Sequence, residues 1–403
     1  MDDKAVLKDH RQIGQELDLF SFHDVSPGAV YWHAKGWLVY RAITDFVRSL
    51  LATRGYQEIS TPILAKADLF KRSGHWEHYH ENMFVLDVDK ETYAQKPMNC
   101  PEACLIYATK TRSYHDLPIR LADFGILHRN ELSGTLGGLF RVRQFSIDDA
   151  HHFVRPDQIQ DEIHQLILLV VEFYKTFGFA PEFFLSTRPD KAMGDPKLWD
   201  EAEKALHQAL KSANVTYGMK EKDGAFYGPK IDIQIKDSQN RDWQLATIQL
   251  DFQIPQRMEL AYIDSDGASK QPVIIHRAIV GSLERFIGVL LEHYQGALPT
   301  WICPIQVTLI PIADRHVEHV KKLAEELRLK GVRVEVDSRN ESMQSKIRDA
   351  TLQKVPFMGI IGDKELASED KLISVRARNG ENLGQLSLTN FIQKVLEHID
   401  TKV

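Results

Sequence analysis

The chain has 403 residues, of which 43% are apolar and 26% charged, and its formal net charge is −6. This length supports two or three domains, and the charge provides no global basic field that would indicate nucleic-acid binding. No apolar run reaches the roughly 18 residues of a membrane span, and the charged start MDDKAVLKDHRQ has no apolar signal core. We therefore expect a cytoplasmic location. An odd set of cysteines (Cys100, Cys104 and Cys303) does not suit a disulfide framework.

Residues 1–298 predict helices that flank several consecutive strands. Apolar residues recur at helical spacing in two segments, and each segment is followed by a glycine. The apolar pattern changes to period two in three others. The helices are predicted at Gly36–Arg54 and Asp157–Phe177, and the strands at Leu139–His151, Lys230–Lys236 and Trp243–Phe252. Helices around antiparallel strands indicate an α+β domain.

Residues 299–403 alternate between strand and helix patterns and predict a small α/β domain with a mostly parallel sheet. The boundary is expected in the small, proline-containing stretch that follows Gly296. This domain has no glycine-rich phosphate loop, so nucleotide chemistry is expected in the first region. The predicted strands are Gln306–Ile312, Val332–Val336, Phe357–Gly362 and Leu372–Arg378, and the helices are Arg315–Leu329, Ser342–Leu352 and Leu388–His398.

The strand predicted at Leu139–His151 carries a row of reactive side chains on one face, because alternate residues of a strand share a face. Upstream, the segment Phe124–Glu131 is joined to it by a glycine-containing loop and would pair with it. That pairing would place Arg129 near Arg141 and Phe145. The two arginines could then clamp phosphates while the phenylalanine ring stacks on a base. A solvated sheet face is the alternative. The row is Arg141, Arg143, Phe145, Ile147, Asp149 and His151.

This arrangement resembles the class II aminoacyl-tRNA synthetases. Phe124–Glu131, its loop and the following RVRQF resemble the second signature motif of that class, and Gly281–Arg285 resembles the third. The helix that ends at Gly55, with Tyr56–Pro62 after it, resembles the first, which builds the homodimer interface in the class. The resemblance implies an antiparallel-sheet catalytic domain followed by an anticodon-binding domain.

The resemblance also implies roles for individual residues in ATP binding. Arg129 would hold the α-phosphate, Phe145 would stack on adenine, and Arg141 and Arg285 would meet the β- and γ-phosphates. Mg²⁺ is expected with the ATP. Further residues expected on the nucleotide side are Glu131, Lys230, Gln244 and Ser282.

Within the class, six spaced segments resemble the threonine-specific members, and the resemblance covers essentially the whole chain. Those members activate L-threonine with ATP and transfer it to the 3′ end of tRNA(Thr). The N-terminal editing region of the common bacterial form has no counterpart here. The segments are DHRQIGQELDLF from Asp9, SGHW from Ser73, KPMNCP from Lys96, DDAH from Asp148, YGPK from Tyr227 and IHRAIVGS from Ile275.

A thiol and two imidazoles are the candidate metal ligands: Cys100, His151 and His276. Each alone is better explained as a structural residue, either a buried thiol or a hydrogen-bonded core histidine. Together, however, they form the three-ligand set that leaves a position open on Zn²⁺. By the resemblance, one zinc per subunit would take the threonine amine and hydroxyl at that position.

Three other residues are expected around the amino acid, and a fourth near the end of the tRNA. The resemblance assigns Asp149 to the threonine hydroxyl, and Tyr227 and Gln249 to the amine or carboxylate. His75 is the candidate for contacting the terminal ribose of tRNA during transfer. The alternative for His75 is a histidine-rich surface loop.

Two positions depart from the family pattern. Ile147 stands where many members have glutamine, and Glu102 stands where glycine is usual. In the second domain, Glu365 and Arg376 match positions that meet anticodon bases in the family, although both also suit solvated surface charges. Three other functions stay open: a paralogue that loads a carrier, a non-catalytic RNA-binding module and a prolyl enzyme.

Overall fold

The computed structural model describes residues 7–368 and 370–403. The chain divides into two compact units. The large unit comprises Phe22–Val30 and Val47–Val289. The C-terminal unit comprises the described residues up to Ser21, together with Tyr31–Phe46 and Leu290–Val403. Within the described ranges, no helix is both long and apolar enough to cross a membrane.

Strands and helices are numbered in chain order. The strands are β1 Phe20–Ser21, β2 Tyr31–Trp32, β3 Tyr56–Glu58, β4 Leu64–Lys66, β5 Val85–Val88, β6 Glu91–Gln95, β7 Ile119–Asp123, β8 Ile126–His128, β9 Gln144–Val154, β10 Glu182–Ser186, β11 Tyr217–Lys220, β12 Lys230–Lys236, β13 Asp242–Asp251, β14 Tyr262–Ile263, β15 Ser269–Lys270, β16 Val273–Ser282, β17 Val307–Pro311, β18 Val334–Val336, β19 Phe357–Ile361, β20 Leu372–Ala377 and β21 Asn382–Ser387. The helices are α1 His10–Glu16, α2 Ala34–Ala52, α3 Ala67–Ser73, α4 His75–Tyr79, α5 Cys100–Tyr107, α6 Ile159–Thr176, α7 Pro196–Ser212, α8 Gln253–Arg257, α9 Leu283–His293, α10 Val317–Leu329, α11 Met343–Leu352, α12 Asp363–Leu366 and α13 Leu388–Asp400.

The large unit is built on a nine-stranded sheet in the order β11-β10-β12-β13-β16-β9-β7-β3, with β8 paired to β9. Its central pairings are antiparallel, and parallel pairs occur at the two ends, β10 with β11 and β3 with β7. The α+β prediction is confirmed.

The centre of this sheet is buried on both faces. In β16 every residue except Ser282 is buried, as expected for a near-continuous apolar run in a covered strand. Helix α6 covers one face of the sheet, because its apolar residues lie on one side of the helix at helical spacing. The Tyr174 hydroxyl on that face donates to the carbonyl of Ile279 at 2.7 Å. Strands β9, β13 and β16 are therefore held rigidly beside one another.

The strand predicted at Leu139–His151 begins later than expected. Residues Gly138–Phe140 form a 3₁₀ turn, and β9 starts at Gln144. The amides of Arg143 and Gln144 both donate to the carbonyl of Gly28, at 2.7 and 3.2 Å. Those bonds turn the chain away from the sheet before β9 begins. The prediction that Arg141 and Arg143 lie in one row with the residues of β9 is therefore wrong. The predicted pairing with the upstream segment is correct, because β8 is antiparallel to β9.

The C-terminal unit contains a five-stranded sheet in the order β18-β17-β19-β20-β21. The first three strands are parallel, whereas β19, β20 and β21 pair in antiparallel fashion. The mostly parallel prediction is therefore wrong for half of the sheet. Parallel neighbours need a crossover of roughly a dozen residues or more, and the links into β20 and β21 are shorter. The proposed domain boundary after residue 298 stays a prediction.

The large unit depends on a buried ion pair between β9 and β16. Arg277 Nη1 lies 2.9 Å from Asp148 Oδ2, and both side chains are essentially inaccessible. Asp148 also accepts from the amides of Ile279, Val280 and Gly281. The carboxylate thus ties the end of β16 to β9 beside the candidate site.

We expect Asp148→Ala to lower the free energy of unfolding by about 3–5 kcal/mol, because it leaves a buried guanidinium without its counter-charge. Urea unfolding followed by circular dichroism measures the change. Asp157→Ala is the matched control, since Asp157 is exposed in its pair with the partly buried Arg155, and that pair should contribute no more than about 1 kcal/mol. Equal losses in the two variants would contradict this account.

Candidate active site

Three neighbouring strands place most of the predicted site residues side by side. In the antiparallel register His276 of β16 lies opposite His151 of β9 and, on its other side, opposite Gln249 of β13. Gln249 in turn lies opposite Lys230 of β12. Cross-strand partners point to the same face of a sheet. Residues distant in sequence therefore meet in one row across the sheet.

The candidate metal ligands converge at one end of that row. Cys100 opens α5 beside the two histidines, and one ligand atom from each of Cys100, His151 and His276 lies within 4.8 Å of the others. All three side chains are buried. The two imidazole rings are 4.9 Å apart and nearly perpendicular. A single cation could contact all three groups.

The chemistry of these ligands fits Zn²⁺. Burial holds the pKa of His151 well below its usual value, so its imidazole is neutral, which is the form that binds metals. None of the described residues forms a hydrogen bond with its buried Nδ1. Burial raises the pKa of the Cys100 thiol, and coordination to a cation is what would remove that proton. One thiolate and two imidazoles match a tetrahedral zinc site with one open position.

Asp149 lies directly beside this cluster. Its Oδ2 accepts from Asn99 Nδ2 at 3.2 Å and is 3.8 Å from His151 Nε2. Burial raises the pKa of Asp149 to about 7. Asn99 was not singled out from the sequence, although it immediately precedes Cys100. Its amide orients the carboxylate that the resemblance assigns to the threonine hydroxyl.

His75 is fully buried and does not belong to a surface loop, so that alternative is wrong. Its Nδ1 lies 2.9 Å from Ser73 Oγ, and its Nε2 lies 3.3 Å from Cys100 Sγ. Burial lowers the pKa of His75 to about 3. The structure therefore brings a neutral imidazole into contact with a candidate metal ligand.

Tyr227 and Gln249 form a linked pair next to His276. The Tyr227 hydroxyl donates to Gln249 Oε1, and the Tyr227 ring packs 5.1 Å from the His276 ring. Gln249 Nε2 also donates to Thr247 Oγ1 at 3.3 Å. The two predicted amino-acid contacts are thus adjacent to the metal ligands.

A cleft of about 440 Å³ lies next to the metal cluster on the same sheet. It is lined by all the residues predicted for ATP binding except Lys230. The Arg129 guanidinium lies over the Phe145 ring, 5.0 Å from its centroid. Ile147 also lines the cleft, so the departure from glutamine makes this part of the wall apolar. The predicted ATP residues in the wall are Arg129, Glu131, Arg141, Phe145, Gln244, Ser282 and Arg285.

The cleft carries an excess of positive charge. Arg129, Arg141 and Arg285 all face it, while Glu131 is the one carboxylate among its described lining residues. Glu131 pairs with Arg141 at 2.7 Å. Burial and the neighbouring Arg129 and Arg141 lower the pKa of Arg285. A polyanion would relieve this like-charge repulsion and supply the missing acceptors.

Two residues predicted near the nucleotide lie differently from expected. Lys230 Nζ is paired with Asp232 Oδ2 at 2.9 Å and does not line the cleft. Asp232, which was not predicted, also accepts from Gln244 Nε2 at 2.6 Å. Arg143 turns away from the cleft and donates to the carbonyl of Glu131 at 2.9 Å. Arg143 therefore orders the loop that holds Glu131.

In the C-terminal unit, Glu365 and Arg376 lie on one side of β20. Glu365 is buried, and its Oε1 accepts from Ser374 Oγ and Gln385 Nε2, both at 2.8 Å. Its Oε2 accepts from the Gly362 amide at 2.9 Å. Arg376 is exposed, two residues beyond Ser374 on the same face. Their anticodon roles stay predictions.

Comparison with known proteins places these features in a family. The family described as "tRNA synthetase class II core domain (G, H, P, S and T)" matches residues 83–294, and "Anticodon binding domain" matches residues 306–398. The threonine–tRNA ligase of Caldanaerobacter subterraneus subsp. tengcongensis is 52% identical over 402 residues, which cover 100% of this chain and 62% of that protein. The ligase of Carboxydothermus hydrogenoformans is 48% identical, with 99% and 63% covered. This chain thus spans about 62% of the length of such relatives.

A solved structure shows the same architecture. The chain superposes with a TM-score of 0.94 on a crystal structure described as the RNA binding domain of threonyl-tRNA synthetase from Cryptosporidium parvum Iowa II. The two are 42% identical, and the match covers 97% of this chain and 98% of that one. The likeness therefore extends through both units.

The arginine-rich cleft predicts binding of inorganic tripolyphosphate. We expect Arg285→Ala to weaken that binding by about 10- to 150-fold, because one charge-assisted hydrogen bond contributes about 1.5–3 kcal/mol. Isothermal titration calorimetry measures the affinity. The exposed Arg188, outside the cleft, provides the control variant Arg188→Ala, which should bind like the parent. Unchanged affinity in Arg285→Ala would show that the cleft is not the polyphosphate site.

Proposed function

Because this chain belongs to the threonyl-tRNA synthetase family of class II aminoacyl-tRNA synthetases, we propose that it is a threonine–tRNA ligase. It would activate L-threonine with ATP to form threonyl-adenylate and transfer the threonyl group to the 3′ end of tRNA(Thr). The observation that carries this proposal is the convergence of Cys100, His151 and His276 next to the arginine-lined cleft. A regulator without catalytic activity would need neither feature.

ATP would occupy the cleft with its phosphates among the arginines. Arg129 would hold the α-phosphate, while Arg141 and Arg285 would meet the β- and γ-phosphates with Mg²⁺. The Phe145 ring offers a stacking face for adenine. Adenylation would then proceed mainly by positioning and charge neutralisation, because the attacking carboxylate and the phosphate are both anionic.

Lys230, Gln244 and Ser282 would support the nucleotide from the edge of the cleft. Lys230 and Gln244 share the buried Asp232 carboxylate. That carboxylate holds both side chains in place before a ligand arrives.

Cys100, His151 and His276 would hold Zn²⁺, which supplies an open position for the amine and hydroxyl of threonine. Asp149, oriented by Asn99, would accept the hydroxyl proton of the amino acid in a hydrogen bond. Tyr227 and Gln249 would contact the amine or carboxylate. Valine has no hydroxyl for this arrangement, and sites that demand such a group reject its absence by about 10⁴–10⁵. Serine has the same donors and is not rejected in this way.

The transfer step would involve His75, whose imidazole contacts the candidate metal ligand Cys100. Its Nε2 is engaged with Cys100 Sγ, so contact with the terminal ribose requires that bond to break. The tRNA would also be read at its anticodon, with Glu365 and Arg376 as the candidate contacts in the C-terminal unit.

We further propose that the protein is a homodimer in the cytoplasm. Support for the dimer comes from the resemblance of α2 and β3 to the first signature motif. Strand β3 lies at one end of the nine-stranded sheet, where a second subunit could dock against the motif.

Threonine-dependent exchange of pyrophosphate into ATP tests the activity directly. We expect exchange with threonine, measurable exchange with serine, and a value of kcat/KM for valine lower by about 10⁴-fold or more. Arg129→Ala should reduce exchange while leaving the fold intact by circular dichroism. Absence of threonine-dependent exchange from folded, zinc-loaded protein would overturn the proposed function.

Metal analysis tests the zinc site independently of activity. We expect about one equivalent of zinc per chain in the purified protein and a loss of bound zinc in His276→Ala, because two ligands cannot hold the ion tightly. His115→Ala, at an exposed histidine, is the control and should retain the metal. Equal zinc content in the two variants would exclude His276 as a ligand.

A further inference from the structure

Asp251 is a buried carboxylate to which the resemblance assigns no role. It is the last residue of β13 and has no exposed surface. Its Oδ2 lies 2.9 Å from Nε2 of His276. Its Oδ1 accepts from the amides of Gln253 at 2.7 Å and Ile254 at 3.0 Å, at the start of α8. Both oxygens are therefore fixed, one by the backbone and one by a candidate metal ligand.

This arrangement determines which nitrogen of His276 can bind a metal. A carboxylate can only accept a hydrogen bond, so the neutral ring must carry its proton on Nε2. Nδ1 then keeps its lone pair. The Tyr227 ring, packed 5.1 Å away, restricts the plane of the imidazole as well.

We propose that Asp251 is a positioning residue for the metal site: it holds His276 in the tautomer and orientation that present Nδ1 to the cation. The inference rests on the zinc site proposed above. In metal sites generally, a carboxylate bonded to the second nitrogen of a ligating histidine makes the ligand more basic and fixes its ring.

The surroundings of Asp251 favour this role over simple packing. Among the described residues, no lysine or arginine forms an ion pair with it, and its one ionisable partner is His276. A buried carboxylate is costly without a counter-charge, and a cation on Nδ1 of His276 would provide one through the ring. The other histidine is different, because the carboxylate oxygen beside it, Oδ2 of Asp149, lies 3.8 Å from Nε2 of His151, which is beyond hydrogen-bond distance. The orienting contact is therefore specific to His276.

Asp251→Asn tests the proposal with almost no change of shape. The two backbone amides require an oxygen at the Oδ1 position, so the new amide nitrogen faces Nε2 of His276. That nitrogen donates, which forces the imidazole proton onto Nδ1 and blocks coordination. We expect zinc affinity to fall by about 10- to 100-fold, measured by competition with a chromophoric chelator.

Cobalt substitution gives a second measurement that does not depend on activity. In the parent protein the visible d–d bands of Co²⁺ should show tetrahedral coordination, together with a thiolate charge-transfer band from Cys100. In Asp251→Asn we expect weaker d–d bands with the thiolate band retained, because one imidazole is lost while the sulfur ligand remains.

Asp237→Asn is the matched control. Asp237 is also a buried aspartate whose Oδ1 accepts from two backbone amides, those of Gln239 and Arg241. Its Oδ2 contacts no histidine; it accepts from the side chains of Trp243 and Arg241. This variant should bind zinc like the parent. If Asp251→Asn does not fold, Asp251→Ser keeps an acceptor for the backbone amides while removing the carboxylate, and the same loss of affinity is expected.

The outcomes separate this inference from the zinc proposal. Tight zinc binding by the parent with a loss of about 10- to 100-fold in Asp251→Asn or Asp251→Ser, and none in Asp237→Asn, supports it. Tight binding by the parent and equally tight binding by the Asp251 variants, with unchanged cobalt spectra, overturns the positioning role alone. A parent protein that binds no zinc overturns the zinc site and this inference with it.

Discussion

The register between β9, β13 and β16 is the constraint on which the rest of the site depends. Because His151, His276 and Gln249 are cross-strand neighbours, the candidate metal ligands and a proposed amino-acid contact lie in one row of the sheet. Buried strands resist a slip of register, since a shift by one residue would move every side chain to the opposite face. Asp148 reinforces this register by bonding Arg277 and three amides of β16. The chemistry of the site is thus positioned by the packing of the sheet.

The side chains of strand β9 alternate between two faces of the sheet, one with candidate site residues and the other with stabilising ion pairs. Its residues Phe145, Ile147, Asp149 and His151 face the cleft and the metal cluster, whereas the residues between them face the opposite layer. There His152 contacts Glu162 at 2.9 Å and Tyr56 at 3.0 Å, and Arg120 pairs with the same glutamate. The ion pairs of the second face are independent of any ligand. They can therefore hold the strand in place, while the first face carries the candidate site residues.

Much of this could be predicted from the sequence, and the exceptions have physical causes. Period-two patterns located β12 and β13 within one residue of their observed ends, because each strand has a buried and a less buried face. The sequence places the start of β9 too early, because the carbonyl of Gly28, in a loop distant in sequence, accepts hydrogen bonds from the amides of Arg143 and Gln144. No local sequence pattern predicts that contact. Asp232 and Asp251 were missed for a related reason. Each contacts a side chain on a neighbouring strand. A single aspartate in a strand forms no periodic pattern from which such a contact could be predicted.

The two halves of the site differ in how complete they are without ligands. Around the metal cluster, buried side chains already have fixed partners: Asp149 is held by Asn99, Tyr227 by Gln249 and His276 by Asp251. Three arginines line the cleft with one carboxylate, Glu131, which pairs with Arg141. Burial near like charges already lowers the pKa of Arg285. Under the proposed function, the amino-acid site would consequently be preorganised, whereas the excess positive charge of the cleft would be balanced only with a polyanion present. In the proposed reaction, binding energy from the triphosphate of ATP would order the arginines around the reacting phosphate, where charge develops in the transition state.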